Sequence, residues 1–149
     1  MYSKDESCFR IAYEVSKMST YRKFHTGCIA ICNHRIVSSG FNSCKSDPLQ
    51  KELNSVRFID DMKSGCEHLV HAEVSCIKPL IGCKDLEQGK VKVYVSRTGK
   101  DGKVRLSRPC PSCMKLIKDS GVRWVYYTGN DEFFKENVVT GKIMKLRNK

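Results

Sequence analysis

The pattern of hydrophobic and polar positions predicts that helices and strands alternate along most of the chain. Residues 3–20 place apolar side chains at the three- and four-residue spacing of one helix face. Ser3 is a candidate N-cap for this first helix. A short apolar run over residues 27–32, a turn at 33–35 and a second run that ends at Asn42 then predict a β-hairpin.

Residues 43–67 interrupt this pattern. They are mostly polar and carry only a weak helical signal between Leu49 and Met62. Connections of this length between regular elements are often functional. We therefore interpret residues 43–67 as an insertion beside a binding or catalytic site.

Beyond the insertion, regular periodicity returns. The spacing predicts a helix over residues 68–83, a strand over 91–96, a turn at 99–102, a helix over 109–120 and a strand over 122–128. In the strand, valines alternate with Lys92, Tyr94 and Ser96, so these three side chains are expected to face outward. Residues 131–149 favour a basic amphipathic helix, although Val138-Val139-Thr140-Gly141 argues against it. This order of elements predicts an α/β sandwich whose later strands run parallel through helical crossovers.

Composition is that of one folded domain over residues 1–149, with 40% hydrophobic and 29% charged residues. No apolar run approaches the ~20 residues of a membrane-spanning helix, and the first residues lack the pattern of a signal peptide. No membrane partner and a cytoplasmic location are expected. The nine cysteines are odd in number, which favours reduced thiols over a disulfide scaffold.

The formal net charge of +11 indicates anionic partners. Nucleotides and nucleic acids both fit this charge, and so does a basic surface that serves only solubility.

Two short segments carry the candidate chemistry, and each begins a predicted helix: His71-Ala72-Glu73, and the pair Cys110 and Cys113. Cysteines three residues apart place both sulfur atoms on one side of a helix, and the helix N-terminus favours the thiolate. Two thiolates and one neutral imidazole match the ligand set of a catalytic Zn²⁺ and leave its fourth position open for water. We therefore interpret His71, Cys110 and Cys113 as zinc ligands.

Glu73 follows His71 by two residues, so it points away from the metal-ligand direction. It is placed to exchange protons with the water at the open zinc position. This interpretation makes Glu73 the catalytic acid/base in the removal of an amine from a nucleobase.

Other interpretations of the cysteine pair stay open at this point. A structural zinc clip would need a fourth protein ligand, such as Cys66 or His68, and would leave Glu73 without a role. A thioredoxin-like redox pair would need a strand directly before the cysteines, and the pattern does not predict one.

The order His-x-Glu followed by Pro-Cys-x-x-Cys is the signature of zinc nucleobase deaminases. From its first helix to about Thr128, the chain resembles the cytidine and deoxycytidylate deaminase superfamily. The resemblance implies an α/β, three-layer cytidine-deaminase-like fold: a mixed five-stranded sheet with helices on both faces. It also implies a homo-oligomer. Residues 45–50 of the insertion are similar to the deoxycytidylate (dCMP) deaminase-like branch, which includes phage-encoded members.

The resemblance also implies substrate contacts. Asn42 matches a family residue that binds the sugar hydroxyl of the substrate. Ala72 matches a family residue whose backbone contacts the base. Arg22, Arg97 and Arg108 would lie near the mouth of the site, where any of them could hold a phosphate. A turn-forming role for Asn42 and a solvated role for each arginine stay open.

Some deoxycytidylate deaminases hold a second zinc through their insertion. Here Cys44, Cys66 and His68 are the candidate ligands, and ordinary surface or core roles are the alternative.

Three functions fit these observations. The first is hydrolytic deamination of a free pyrimidine deoxynucleotide, with dCMP converted to dUMP. The second is deamination of cytosine or adenine in single-stranded DNA or RNA, which the basic charge and Phe133-Phe134 favour. The third is a non-catalytic, zinc-stabilised binding module, which an intact Glu73 argues against.

Overall fold

A mixed β-sheet lies at the centre of the molecule. The structure is a computed structural model that describes residues 3–56 and 69–146. Seven strands occur in these ranges: β1 (Phe24–Cys32), β2 (Arg35–Phe41), β3 (Val91–Gly99), β4 (Val104–Arg105), β5 (Trp124–Thr128), β6 (Phe133–Asn137) and β7 (Ile143–Leu146). The strand order is β2-β1-β3-β5-β6-β7, with β4 paired to β3. The β3–β5 pair is parallel, as predicted for strands joined by a helix, and the other pairs are antiparallel.

Helices cover both faces of this sheet. They are α1 (Ser3–Ser16), α2 (Pro48–Val56), α3 (Ala72–Ile77), α4 (Lys84–Glu87) and α5 (Pro111–Ser120). On one face, α1 packs Phe9 and Ala12 against Ile29, Tyr94 and Tyr126. On the other face, α3 and α5 bury their apolar side chains against the valines of β3 and β5. The three-layer α/β fold is confirmed, with seven strands in place of the five expected.

Two glycines let helix backbone approach the sheet closely. A Cβ at Gly27 would collide with the backbone of α1 at Ala12 and Ser16. A Cβ at Gly40 would lie 2.5 Å from the Cys76 nitrogen and 2.6 Å from the Ala72 oxygen of α3. Gly40 therefore allows the first turn of α3, which carries Glu73, to rest on β2.

The helix predicted over residues 68–83 is shorter than expected. It spans Ala72–Ile77 and continues as a 3₁₀ turn over Lys78–Leu80. Pro79 lacks a backbone N–H and cannot continue an α-helix in this interior position. Ile81, predicted on the buried face of this helix, is 53% exposed.

The outward orientation predicted for Tyr94 and Ser96 is wrong. Their side chains are 3% and 1% exposed, because α1 covers this face of β3. The strand is buried on both faces, as is common for strands in a three-layer fold.

The helix favoured for residues 131–149 is also wrong: strands β6 and β7 form a hairpin there. Asn137 stabilises the connecting turn, since its side-chain oxygen accepts hydrogen bonds from the backbone N–H groups of Val139 and Thr140 at 3.0 and 3.2 Å. Gly141 adopts a left-handed φ of 79° in the same turn. The residues that argued against a helix therefore form the turn.

Within residues 3–56 and 69–146, no helix combines the length and the apolar character that crossing a membrane requires.

Candidate active site

The three predicted metal ligands meet at one point. The donor atoms of His71, Cys110 and Cys113 all lie within 4.8 Å of one another. His71 Nδ1 is 3.3 Å from the Sγ of Cys113 and 3.5 Å from the Sγ of Cys110. Residues 39 positions apart in sequence thus form one cluster of a nitrogen and two sulfur donors.

Two helix starts create this cluster. His71 is the extended residue before α3, with φ −84° and ψ 156°, and Cys110 is the extended residue before α5, with φ −65° and ψ 164°. Pro111 occupies the first helical position, where its missing N–H is not needed. Cys113 follows in the first turn, so its sulfur lies on the same side as that of Cys110.

The charges of the cluster suit a divalent cation. The Cys113 thiol donates a hydrogen bond to Cys110, which, with His71, lowers the pKa of Cys110 to about 3 despite its burial. The same hydrogen bond and burial raise the pKa of Cys113, so the pair carries one negative charge when no metal is present. Thiolate and imidazole are the donors that Zn²⁺ prefers, and three such donors leave a fourth tetrahedral position for a reactant. The residues present therefore fit zinc.

Glu73 lies beside the cluster and is 5% exposed. Burial raises the pKa of its carboxyl, while the charge of His71 and a hydrogen bond from Cys113 oppose this rise. A carboxyl group in such surroundings can both accept and return a proton.

Gln50 supports the site, and the sequence analysis missed it. Its side chain is fully buried, and its Oε1 accepts a hydrogen bond from the backbone N–H of His71 at 3.1 Å. Its Nε2 donates to Asn54 at 3.0 Å, one helical turn further along α2. The polar pair Gln50 and Asn54, four residues apart and on the same side as Leu53, was the available signal.

The two predicted substrate contacts, Asn42 and Ala72, are both buried. Asn42 is 5% exposed, and its side chain accepts a hydrogen bond from Thr26 N–H at 2.8 Å and donates one to the Phe24 carbonyl at 3.0 Å. Ala72 is fully buried as the first residue of α3. Helix geometry leaves the N–H groups of a first turn without an intrahelical acceptor.

The predicted phosphate contacts have different surroundings. Arg108 donates two hydrogen bonds to Glu136, at 2.9 and 3.0 Å, and Tyr127 donates a third to the same carboxylate at 3.1 Å. Arg22 is exposed between α1 and β1. Both assignments stay predictions, and Arg108 would have to share its guanidinium with Glu136.

The candidate second zinc site is only partly within the described residues. Cys44 is exposed, and its thiol donates to the Thr20 carbonyl at 3.1 Å. Cys66 and His68 lie outside the described residues, so this site stays a prediction.

Comparison with known proteins identifies the family. The family model of the cytidine and deoxycytidylate deaminase zinc-binding region matches residues 2–128. The chain belongs to this family. It is a zinc-dependent deaminase, and its His-Cys-Cys cluster is a donor set for this metal.

Solved structures share the fold of this deaminase. The dCMP deaminase of the cyanophage S-TIM5 in apo form is 20% identical, with a TM-score of 0.59 and coverage of 87% of this chain and 86% of that one. The same phage enzyme in complex with dCMP and dUMP is 19% identical, with a TM-score of 0.52 and coverage of 85% and 82%. A cytidine deaminase from Burkholderia pseudomallei is 11% identical, with a TM-score of 0.56 and coverage of 98% and 92%. Comparison with curated protein sequences gives no match.

Proposed function

We propose that this deaminase converts dCMP to dUMP. In the reaction, the oxygen of water forms a bond to C4 of the cytosine ring, the C4–N bond breaks, and ammonia leaves. The observation that carries the proposal is the buried Glu73 carboxyl beside the three donor atoms of His71, Cys110 and Cys113.

Glu73 moves the protons in this proposal. Zinc, when bound by His71, Cys110 and Cys113, supplies Lewis-acid activation of water. The Glu73 carboxylate would accept one proton from the attacking water and deliver it to N3 of the ring. It would then accept the remaining proton from the new hydroxyl group on C4 and transfer it to the departing amine, which leaves as ammonia. Its raised pKa suits this exchange, because a more basic carboxylate accepts a proton more readily.

Two groups would orient the nucleotide. The backbone N–H of Ala72, at the start of α3, would donate to the base. The Asn42 amide would contact the sugar hydroxyl. Its hydrogen bonds to Phe24 and Thr26 hold that amide in one orientation, so it would meet the sugar without losing side-chain freedom.

Two observations favour a deoxynucleotide substrate: the similarity of the fold to that of a phage enzyme, and the positive net charge of the chain. The phage enzyme with the same fold is a dCMP deaminase and has been solved with dCMP and dUMP bound. The net charge of +11 favours a phosphorylated substrate over a neutral nucleoside.

A panel of substrates tests this proposal. Ammonia release is measured with dCMP, deoxycytidine, dCTP, and cytosine- or adenine-containing single-stranded oligonucleotides. We expect the highest kcat/KM with dCMP. Turnover of the oligonucleotides alone would overturn the proposal and support the polynucleotide function.

The aromatic residues that favoured a polynucleotide substrate have structural contacts. The ring of Phe133 lies 4.7 Å from that of Phe9, and the ring of Phe134 lies 5.6 Å from that of Tyr127. Both rings pack against the two cores of the protein. The net positive charge is thus the remaining argument for a nucleic-acid substrate.

A homo-oligomer also stays a prediction, which light scattering after size-exclusion chromatography would check.

A further inference from the structure

Arg97 lies on the sheet face that carries the active site. In β3, Val91, Val93 and Val95 pack into the core beneath α3 and α5. Side chains along a strand alternate between the two faces, so Arg97 continues the row of these valines. Its side chain therefore extends toward the layer that holds Glu73 and the metal ligands.

The Arg97 guanidinium is held in place by an aromatic ring. Its central carbon lies 3.5 Å from the ring centroid of Phe24, and that ring contacts Tyr21 edge-on with the centroids 4.9 Å apart. Stacking on an aromatic face fixes the plane of the guanidinium and leaves its N–H groups at the edge free to donate.

Within residues 3–56 and 69–146, these N–H groups have no acceptor. Arg97 is half-buried, yet it forms no hydrogen bond or ion pair with any residue that the structure describes. Its neighbours differ: Arg105 pairs with Asp101, and Arg108 pairs with Glu136. A partly desolvated guanidinium without a partner is an incomplete anion site, because buried donors are normally satisfied.

Arg97 also lies next to the proposed sugar contact. It pairs with Thr26 in the β1–β3 ladder and stacks on Phe24. Asn42 forms its two hydrogen bonds with the backbone of these same residues. Asn42 and Arg97 are thus anchored on one short stretch of β1.

The Glu73 carboxylate and the Arg97 guanidinium interact electrostatically. Burial lowers the pKa of Arg97, and the Glu73 carboxylate opposes this effect. The two side chains are therefore close enough to interact electrostatically, which agrees with their position on one face of the sheet.

We propose that Arg97 binds the 5′-phosphate of the substrate and makes the enzyme prefer a nucleotide over a nucleoside. This inference rests on the proposed function. The base would lie at Glu73, the sugar at Asn42 and the phosphate at Arg97. The planar guanidinium would hold two phosphate oxygens at once, with Phe24 at its back.

The test compares Arg97→Met with Arg105→Met. Both changes remove one positive charge from adjacent positions in the β3–β4 ladder, but Arg105 already pairs with Asp101. We expect Arg97→Met to lower kcat/KM for dCMP about 10- to 100-fold, mainly through KM, and to leave deoxycytidine turnover unchanged. Arg97→Lys should recover part of the loss, and Arg105→Met should change neither substrate.

A binding measurement separates this inference from the proposed function. Calorimetry with dUMP and deoxyuridine reports phosphate recognition without turnover. We expect Arg97→Met to weaken dUMP binding by the same factor as the change in KM.

Each other outcome is decisive. Equal losses with dCMP and deoxycytidine, unchanged dUMP binding in Arg97→Met, or a wild-type enzyme that does not bind dUMP would overturn the role of Arg97. Wild-type protein that binds dUMP through Arg97 but does not turn over dCMP would overturn the proposed function alone.

Discussion

Glu73 and Cys110 have opposite electrostatic surroundings within one small site. Burial raises the pKa of the Glu73 carboxyl, whereas hydrogen bonds lower the pKa of Cys110 to about 3. The sulfur atom is therefore kept as an anion suited to a metal, while the carboxyl can change its protonation state. The two residues are thus suited to metal binding and proton transfer, respectively.

Replacing Glu73 with glutamine tests this division at the residue scale. Glutamine keeps the size and hydrogen-bonding capacity of the side chain but cannot carry a proton. We expect Glu73→Gln to keep its zinc, measured by atomic absorption, and to lose about 10²- to 10⁴-fold in turnover, measured by ammonia release. Glu87→Gln, at an exposed residue of α4, is the matched control and should behave as the wild type. Near-normal turnover of Glu73→Gln would remove this residue from the mechanism.

At the scale of elements, α2 supports the start of α3 and so the zinc ligand that precedes it. Asp47 caps α2, since its Oδ1 accepts from the Leu49 N–H at 2.8 Å, and its Oδ2 accepts from Lys78 at 2.9 Å. One turn into α2, Gln50 holds the backbone of His71. The cap of α2 and the backbone of His71 are thus connected through one turn of this helix.

The stability contributed by Asp47 depends on pH. Partial burial raises its pKa, but hydrogen bonds from Lys78 and from the backbone of Gln50 and Leu49 outweigh burial and hold the pKa below its usual value. The contribution is therefore fully present above the unfolded-state pKa of about 4 and is lost as the pH falls through the lower folded-state value.

Two substitutions separate the cap from the charge. At pH 7, Asp47→Ala should lower the free energy of unfolding by about 1 kcal/mol, and Asp47→Asn by less, because asparagine also caps helices. Urea unfolding of the wild type and Asp47→Asn should show a smaller difference in strongly acidic buffer than at pH 7. A difference that grows in acid would contradict the assigned direction of the pKa shift.

At the scale of the whole molecule, the zinc site links two helices that cross the same face of the sheet. His71 precedes α3 and Cys110 precedes α5, with β3 between them in sequence. A metal bound to both would stabilise the folded state, because the unfolded chain does not bring these donors together.

Removal of the metal measures how much its binding stabilises the folded state. We expect chelation to lower the Tm of the wild type by several degrees, since ligand at 100 times its Kd contributes about 2.7 kcal/mol. Cys110→Ala should contain little zinc, and its Tm should not respond to the chelator. Cys83→Ala removes an exposed free cysteine outside the cluster and should match the wild type. Full zinc retention in Cys110→Ala would contradict the ligand assignment.

The sequence by itself determined the parts of this protein that depend on short spacings. His71 and Glu73 lie two residues apart and Cys110 and Cys113 three, so helix geometry sets the relative direction of each pair before any tertiary contact forms. The order strand, helix, strand predicted the parallel β3–β5 pair, because a helical crossover brings the chain back to the same end of the sheet. Gly121 ends α5 with a left-handed φ of 113°, directly after the helix predicted over residues 109–120.

Only the tertiary structure decided what depends on distant partners. Tyr94 is buried because α1 packs over β3, and Gln50 supports the site because α2 reaches the backbone of His71. Strand β6 forms because β5 offers an edge for pairing, and β7 pairs in turn with β6, which local periodicity does not reveal. Arg97 stacks on Phe24 because the β1–β3 register places the two residues side by side. Sequence spacing orients neighbours within one element, whereas packing and strand register determine which elements meet.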